Sequence, residues 1–187
     1  MSDLRWNTHV GYVCSKSSRV LGLLRRNLSA CSEKVKLTAF TALVRPILEY
    51  GAAAWDPYTK KSITKLEMVQ RSAIRWVGNN YQREPGTVTA LLDQYKLCTL
   101  ESRRKNMRLC MMYKIVHDEV DIPKEVYLKS AQRRTRGSHE HKYQTISART
   151  DVYKYSFFPR TVTDWDSLDS EVAESISLTQ FKGRLLD

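Results

Sequence analysis

The chain has 187 residues, and its 31 Lys and Arg against 20 Asp and Glu give a formal charge of +11. With 42% hydrophobic residues, 7 glycines and 5 prolines, it can bury a core as one domain or as a domain with an extension. A cationic excess of this size points to polyanions as partners. The absence of any apolar run of about 18 residues, and a polar start MSDLRWNTHV, argue against a membrane span or secretion, so an intracellular protein of the nucleus or cytoplasm is expected.

From Trp6 to Leu28, apolar residues at Trp6, Val10, Val13, Val20 or Leu21, Leu24 and Leu28 have the spacing of an amphipathic helix, with Lys16, Arg19 and Arg26 away from that stripe. Ser32 is placed to cap a second helix, whose apolar set is Leu37, Phe40, Val44 and Ile47. The opposite stripe, Lys34, Thr38, Thr41 and Arg45, keeps four hydrogen-bond donors on one face, as phosphate contact or simple solvation would require. Pro46 removes an amide and is expected to bend this helix, Gly51 to end it, and Trp55 to bury its ring where its indole N–H finds a partner.

Asp56-Pro57 reads as a turn, and a third helix from Lys60 or Lys61 to Val77 sets Leu66, Val69, Ala73 and Trp76 inward and Lys61, Lys65 and Arg75 outward. A short helix from about Thr87 to Gln94 follows. Thr99 then caps a long helix to His117, with Leu100, Met107, Cys110, Met111 and Ile115 inward and Arg104, Lys105 and Arg108 outward. Beyond Asp121-Ile122-Pro123, residues 132–143, with Arg133, Arg134, Arg136 and Lys142, read as an exposed basic loop. Residues 143–158 are rich in β-branched and aromatic side chains, which suits one or two short strands. Ser177 and Gln180 form a capping box for a last helix with Leu178, Phe181 and Leu185 on its apolar side.

Catalytic and metal-binding patterns are not found. Cys14, Cys31, Cys98 and Cys110 show no paired metal-ligand spacing and read as reduced packing residues. His139 and His141 read as surface-loop residues. Asp164, Asp166 and Asp169 suit a turn leading into a helix start. A glycine-rich phosphate loop is lacking, so neither a metal nor a cofactor is expected.

LGLLRRNL at 21–28, LVRPILEYGAAAWDP at 43–57, LEMVQRSAIRWV at 66–77, LESRRKNMRLCMMYKI at 100–115 and FFPRTVTDWDSL at 157–168 occur in one order along the chain. Together they resemble the C-terminal part of reverse transcriptases of non-LTR (LINE-type) retrotransposons, in particular the jockey-like and chicken-repeat-like groups. The resemblance implies a helical thumb subdomain at 1–120, gripping an RNA template, RNA–DNA hybrid or DNA, and a C-terminal extension at 121–187. It singles out Arg25, Arg26, Arg45, Pro46, Tyr50, Trp55, Arg71, Arg75, Arg103, Arg104, Arg160 and Trp165. The palm's Tyr/Phe-x-Asp-Asp motif is not in this sequence, and WDSLD stands where the family more often has Trp-Asn and Leu-Pro. Catalysis, and the magnesium that serves it, would thus belong to a palm, and these residues alone are not expected to form an enzyme.

The expected fold is mainly α: a thumb-like helical bundle with a small irregular or short-strand extension. Nucleic acid is the expected partner, together with the remaining reverse-transcriptase domains. The expected contacts are Arg25, Arg26, Lys34, Arg45, Lys61, Lys65, Arg71, Arg75, Arg104, Lys105, Arg108, Arg133, Arg134 and Arg136, with Pro46, Tyr50, Trp55, Trp76 and Trp165 structural. Two other readings stand beside this one: a helical protein-interaction scaffold, and a non-functional relic of a truncated element.

Overall fold

A computed structural model describes residues 6–131 and 139–185, and in them the protein is mainly α. The chain divides into two compact units, Met1–Arg104 and Lys105–Asp187. The division falls inside a helix, earlier than the change of composition near residue 120 suggests.

In the first unit, α1 (Asn7–Asn27) buries Val10, Val13, Cys14, Leu21 and Leu24, the stripe set by its three-and-four spacing. Ser17 shares that face because its hydroxyl donates to the Val13 carbonyl at 2.8 Å. Next comes one continuous helical path: α2 (Glu33–Ala39), a π-helical segment (Phe40–Val44) and α3 (Arg45–Glu49). The proline does not break it. The Arg45 amide bonds back five residues to the Phe40 carbonyl, and this wider turn accommodates the proline ring and its missing N–H. Phe40, Val44 and Leu48 stay fully buried across the change of winding.

Gly51, at φ +67°, ends the path in a conformation that favours glycine. Trp55 then turns back, 5% exposed, donating its indole N–H to the Tyr50 carbonyl at 2.7 Å and meeting the His9 ring edge-on at 4.4 Å. The Tyr50 side chain is 86% exposed, so its backbone anchors the turn and its ring does not. Tyr50→Ala should therefore change stability by less than about 0.5 kcal/mol in a denaturant titration.

Thr59 caps α4 (Lys60–Val77) by accepting from the Ser62 amide, and Leu66, Val69, Ala73, Ile74, Trp76 and Val77 face inward. The positions α5 (Thr87–Gln94) buries, Val88 and Leu91, lie three apart. Tyr95 crosses to donate to Glu33 at 2.9 Å, and its phenol is pushed up to about 12 by burial and then by that carboxylate.

Helix α6 (Leu100–Val116) contradicts the expected facing. Arg104 is 0% and Arg108 3% exposed, lying four and eight residues after Leu100 on the side that also carries Ile115. Within the first unit, Arg104 Nε pairs with Asp56 at 3.0 Å. Within the second, Arg108 donates to Thr161 Oγ1 at 3.2 Å and Asp164 at 2.9 Å. Carboxylates waiting on the inner side let arginines occupy core-facing positions that their polarity alone would put outside.

In the second unit, Leu109, Met112, Tyr113, Ile115, Val116, Leu128, Val162, Trp165 and Phe181 form the core. Around it lie α7 (Lys124–Tyr127), α8 (Asp151–Lys154), α9 (Phe157–Asp166), α10 (Ser170–Ala173) and α11 (Leu178–Arg184). The short strands expected in 143–158 are replaced by α8 and the start of α9. Pairing among the described residues there is reduced to one antiparallel bridge, Ser130 to Tyr143. Pro159 sits in the first turn of α9, where its missing amide costs nothing, so Phe157 and Phe158 reach the core from a helix. Trp165, 0% exposed, donates its indole N–H to the His141 carbonyl at 2.9 Å.

Two polar expectations are corrected here as well. Asp164 and Asp166 lie in the last turn of α9 and not in a turn before a helix; only Asp169 holds an N-cap position, that of α10. Asp164 is paired with Arg108 and Lys105, and Asp166 accepts from the Tyr143 amide at 3.1 Å. His139 is 1% exposed against Trp165, not a surface-loop residue, and burial pulls its imidazole below the ordinary histidine value. The terminal capping residues behave as their spacing requires: Ser177 accepts from the Gln180 amide at 3.2 Å, and Gln180 from the Ile176 amide at 3.0 Å.

Candidate nucleic-acid interface

The cations expected to meet phosphate do not share one fate. Arg104 is held by the buried Asp56 and Arg108 by the partly exposed Asp164, and Lys105 is half-exposed and paired with Asp164 at 3.2 Å. Arg133, Arg134 and Arg136 lie outside the described residues.

The second helix changes character too. Thr38 and Thr41 donate their hydroxyl protons to the Lys34 and Thr38 carbonyls at 2.9 and 3.0 Å, which leaves no proton for an anion. The π-helical segment adds one residue between Thr41 and Arg45, turning Arg45 about 100° off the stripe. Arg45 is half-buried near Glu49, which Arg103 grips with two nitrogens. Burial, and then the Arg103 guanidinium, draw Arg45 below the ordinary arginine value, while the Glu49 hydrogen bond raises Arg103. Of the four-residue stripe, Lys34 alone remains as an exposed cation.

Helices α1 and α4 are different. They pack side by side, pinned at three levels: Ser62 Oγ donates to Asn7 Oδ1 at 3.1 Å, Cys14 Sγ to the Lys65 carbonyl at 3.6 Å, and Arg25 to the Ser72 carbonyl at 2.6 Å and hydroxyl at 2.9 Å. Residue numbers rise together through these pairs, so the two helices run in the same direction. On α1 the small residues Gly11, Ser15, Ser18 and Gly22 form a row spaced four, three and four, and Gly11 lies against Lys65 of α4. On α4 Lys61, Lys65, Met68, Ser72 and Arg75 form a row spaced four, three, four and three.

The glycine at position 11 has a use here. A Cβ built on it would stand 3.6 Å from the Lys65 ammonium, so the lysine lies against α1 with its charge over the seam. Lys16, Arg19 and Arg26 on α1 and Lys61, Lys65 and Arg71 on α4 are all exposed. The Nε atoms of Arg25 and Arg75 are buried without a hydrogen-bond partner among the described residues.

Helices α1 and α4 are both strongly cationic. Together they carry nine cations, four on α1 and five on α4, against one carboxylate, Glu67. That carboxylate is turned away, accepting from the Glu101 amide at 2.9 Å, and burial pushes it above the ordinary glutamate value. The seam is therefore a rigid cationic track with a small-residue wall, suited to follow an extended polyanion at close approach.

The structure thus groups Arg25, Arg26, Lys61, Lys65, Arg71 and Arg75, leaves Lys34 by itself on α2, and withdraws Arg45, Arg104 and Arg108. Gly11, Ser15, Ser18 and Gly22 were not expected to matter. The sequence signal that marks them is the absence of any Asp or Glu from the whole of α1. Among the described residues no helix is long and apolar enough to cross a membrane. No protein-family model, curated protein or solved structure matches this chain.

Proposed function

We propose that the chain is a helical nucleic-acid-binding module, akin to the thumb of a LINE-type reverse transcriptase, that holds an RNA template or RNA–DNA hybrid through its phosphates. The observation carrying this is the segregation of nine cations and one averted carboxylate onto two neighbouring helices. Rigid helices fix those charges in space, and charges so fixed follow a backbone without reading base sequence. The resemblance of the quoted motifs supports reading the module as part of a polymerase, in which a palm would supply nucleotidyl transfer and its magnesium. This chain alone then binds and positions, and primed template incubated with it should gain no nucleotide.

Salt titration tests the binding. Fluorescence anisotropy of a labelled RNA–DNA hybrid should give log K falling linearly with log salt. Lys16, Arg19, Arg26, Lys61, Lys65 and Arg71, each neutralising one phosphate at about 0.7–0.9 in the slope, set a value near −4 to −5. Affinity independent of salt, or no binding at about 50 mM salt, would sink the proposal.

A further inference from the structure

The outward face of α1 is not uniformly polar. Tyr12, Lys16, Arg19, Leu23 and Arg26 follow one another at spacings of four, three, four and three, and so share a stripe opposite the buried one. Tyr12 is 59% and Leu23 51% exposed, and on α4 Met68 is 63% exposed between Lys65 and Arg71. Large apolar groups thus stand inside the cationic stripes. The fold does not need them there, because the core of this unit is closed by residues on the opposite faces.

A duplex held by its phosphates offers these side chains nothing, since its bases are stacked and turned inward. An unpaired strand offers both partners, phosphates for Lys16, Arg19 and Arg26 and a free base face for the Tyr12 ring. We propose that the α1 face engages an unpaired nucleic-acid strand, with Tyr12 as a stacking platform and Leu23 and Met68 as apolar contacts to neighbouring bases or sugars. The occupant is polyanionic because the helix carries no acidic residue to attract or orient a basic or mixed-charge partner. This inference rests on the nucleic-acid reading above and narrows its substrate to the single-stranded part of a template.

Binding of the full chain to a labelled single-stranded RNA about 16 nucleotides long, and to a blunt RNA–DNA hybrid of equal length, tests it. Tyr12→Ala should weaken single-strand binding about tenfold, leave hybrid binding unchanged, and leave the salt slope unchanged, because stacking releases no counterions. Tyr12→Phe, which keeps the ring, should bind as the parent does. An equal loss on both ligands, an unchanged single-strand affinity in Tyr12→Ala, or a parent that binds only the hybrid overturns the stacking role while leaving phosphate binding intact. A parent that binds neither ligand at low salt overturns the broader proposal and this one with it. Circular dichroism of the variants should match the parent, since the substituted ring lies at the surface.

Discussion

Arg104→Ala should destabilise the first unit by about 3–5 kcal/mol, the loss expected when one member of a buried ion pair is removed. Arg104 is 0% exposed, its Nε lies 3.0 Å from Asp56, and Asp56 is itself 9% exposed. Truncation leaves that carboxylate buried and opens a cavity where one of the largest fully buried side chains had been. Arg104→Met combined with Asp56→Leu should recover part of the loss, because the double variant removes both charges of this pair and refills their volume with apolar groups. Denaturant titration of parent, single and double variants measures both effects. At temperatures where the single variant is still folded, its hybrid affinity should equal the parent's. A loss of affinity with unchanged stability would mean that Arg104 faces the ligand after all.

The same residue shows where reading the sequence stops. Helices α1, α4 and α11 were legible from apolar spacing, and α11 also from its Ser177 cap, since each signal is local and decided within a few residues. Helix α6 was legible as a helix but not in its facing. Arg104 and Arg108 sit at core-facing angles, and partners about fifty positions away, Asp56 and Asp164 among them, make those angles tolerable. The residues rich in β-branched and aromatic side chains near 150 went astray for a related reason. Strand preference largely measures packing on a half-buried pleated surface, and no sheet is present among the described residues to supply one.

The candidate interface divides along similar lines. That Lys16, Arg19 and Arg26 share a face of α1 was visible from spacing alone. That α4 lies beside that helix was not, because the contacts establishing it, Asn7 to Ser62 and Arg25 to Ser72, join residues 55 and 47 positions apart. Proline 46 misled differently. Its cost to an α-helix is well defined, but a π turn meets the same steric demand, and the extra residue redirects Arg45 towards Glu49 and Arg103. A residue's place on a face depends on winding as well as on count.

The largest functional effect should come from the exposed cations of α1 and α4. A variant carrying Lys16→Ala, Arg19→Ala, Lys61→Ala and Lys65→Ala should bind the hybrid with a salt slope smaller by about 3, four phosphate contacts at about 0.7–0.9 each. Because the electrostatic contribution fades towards about 1 M salt, that change of slope corresponds to a loss on the order of a thousandfold or more at about 50 mM. All four side chains are exposed and none is in an ion pair with a described residue, so the denaturation midpoint should move little. Replacing the three lysines by arginine instead keeps the charge and should keep the slope, which separates loss of cations from loss of side-chain bulk. Lysine 65 is the most informative single position, because its ammonium is held against Gly11 and therefore sits at a fixed place on the track. Gly11→Leu would displace that ammonium without removing its charge. If affinity falls with the slope unchanged, the position of the charge over the seam matters as well as its presence. An unchanged slope in the fourfold alanine variant would instead mean that the polyanion lies elsewhere on the protein.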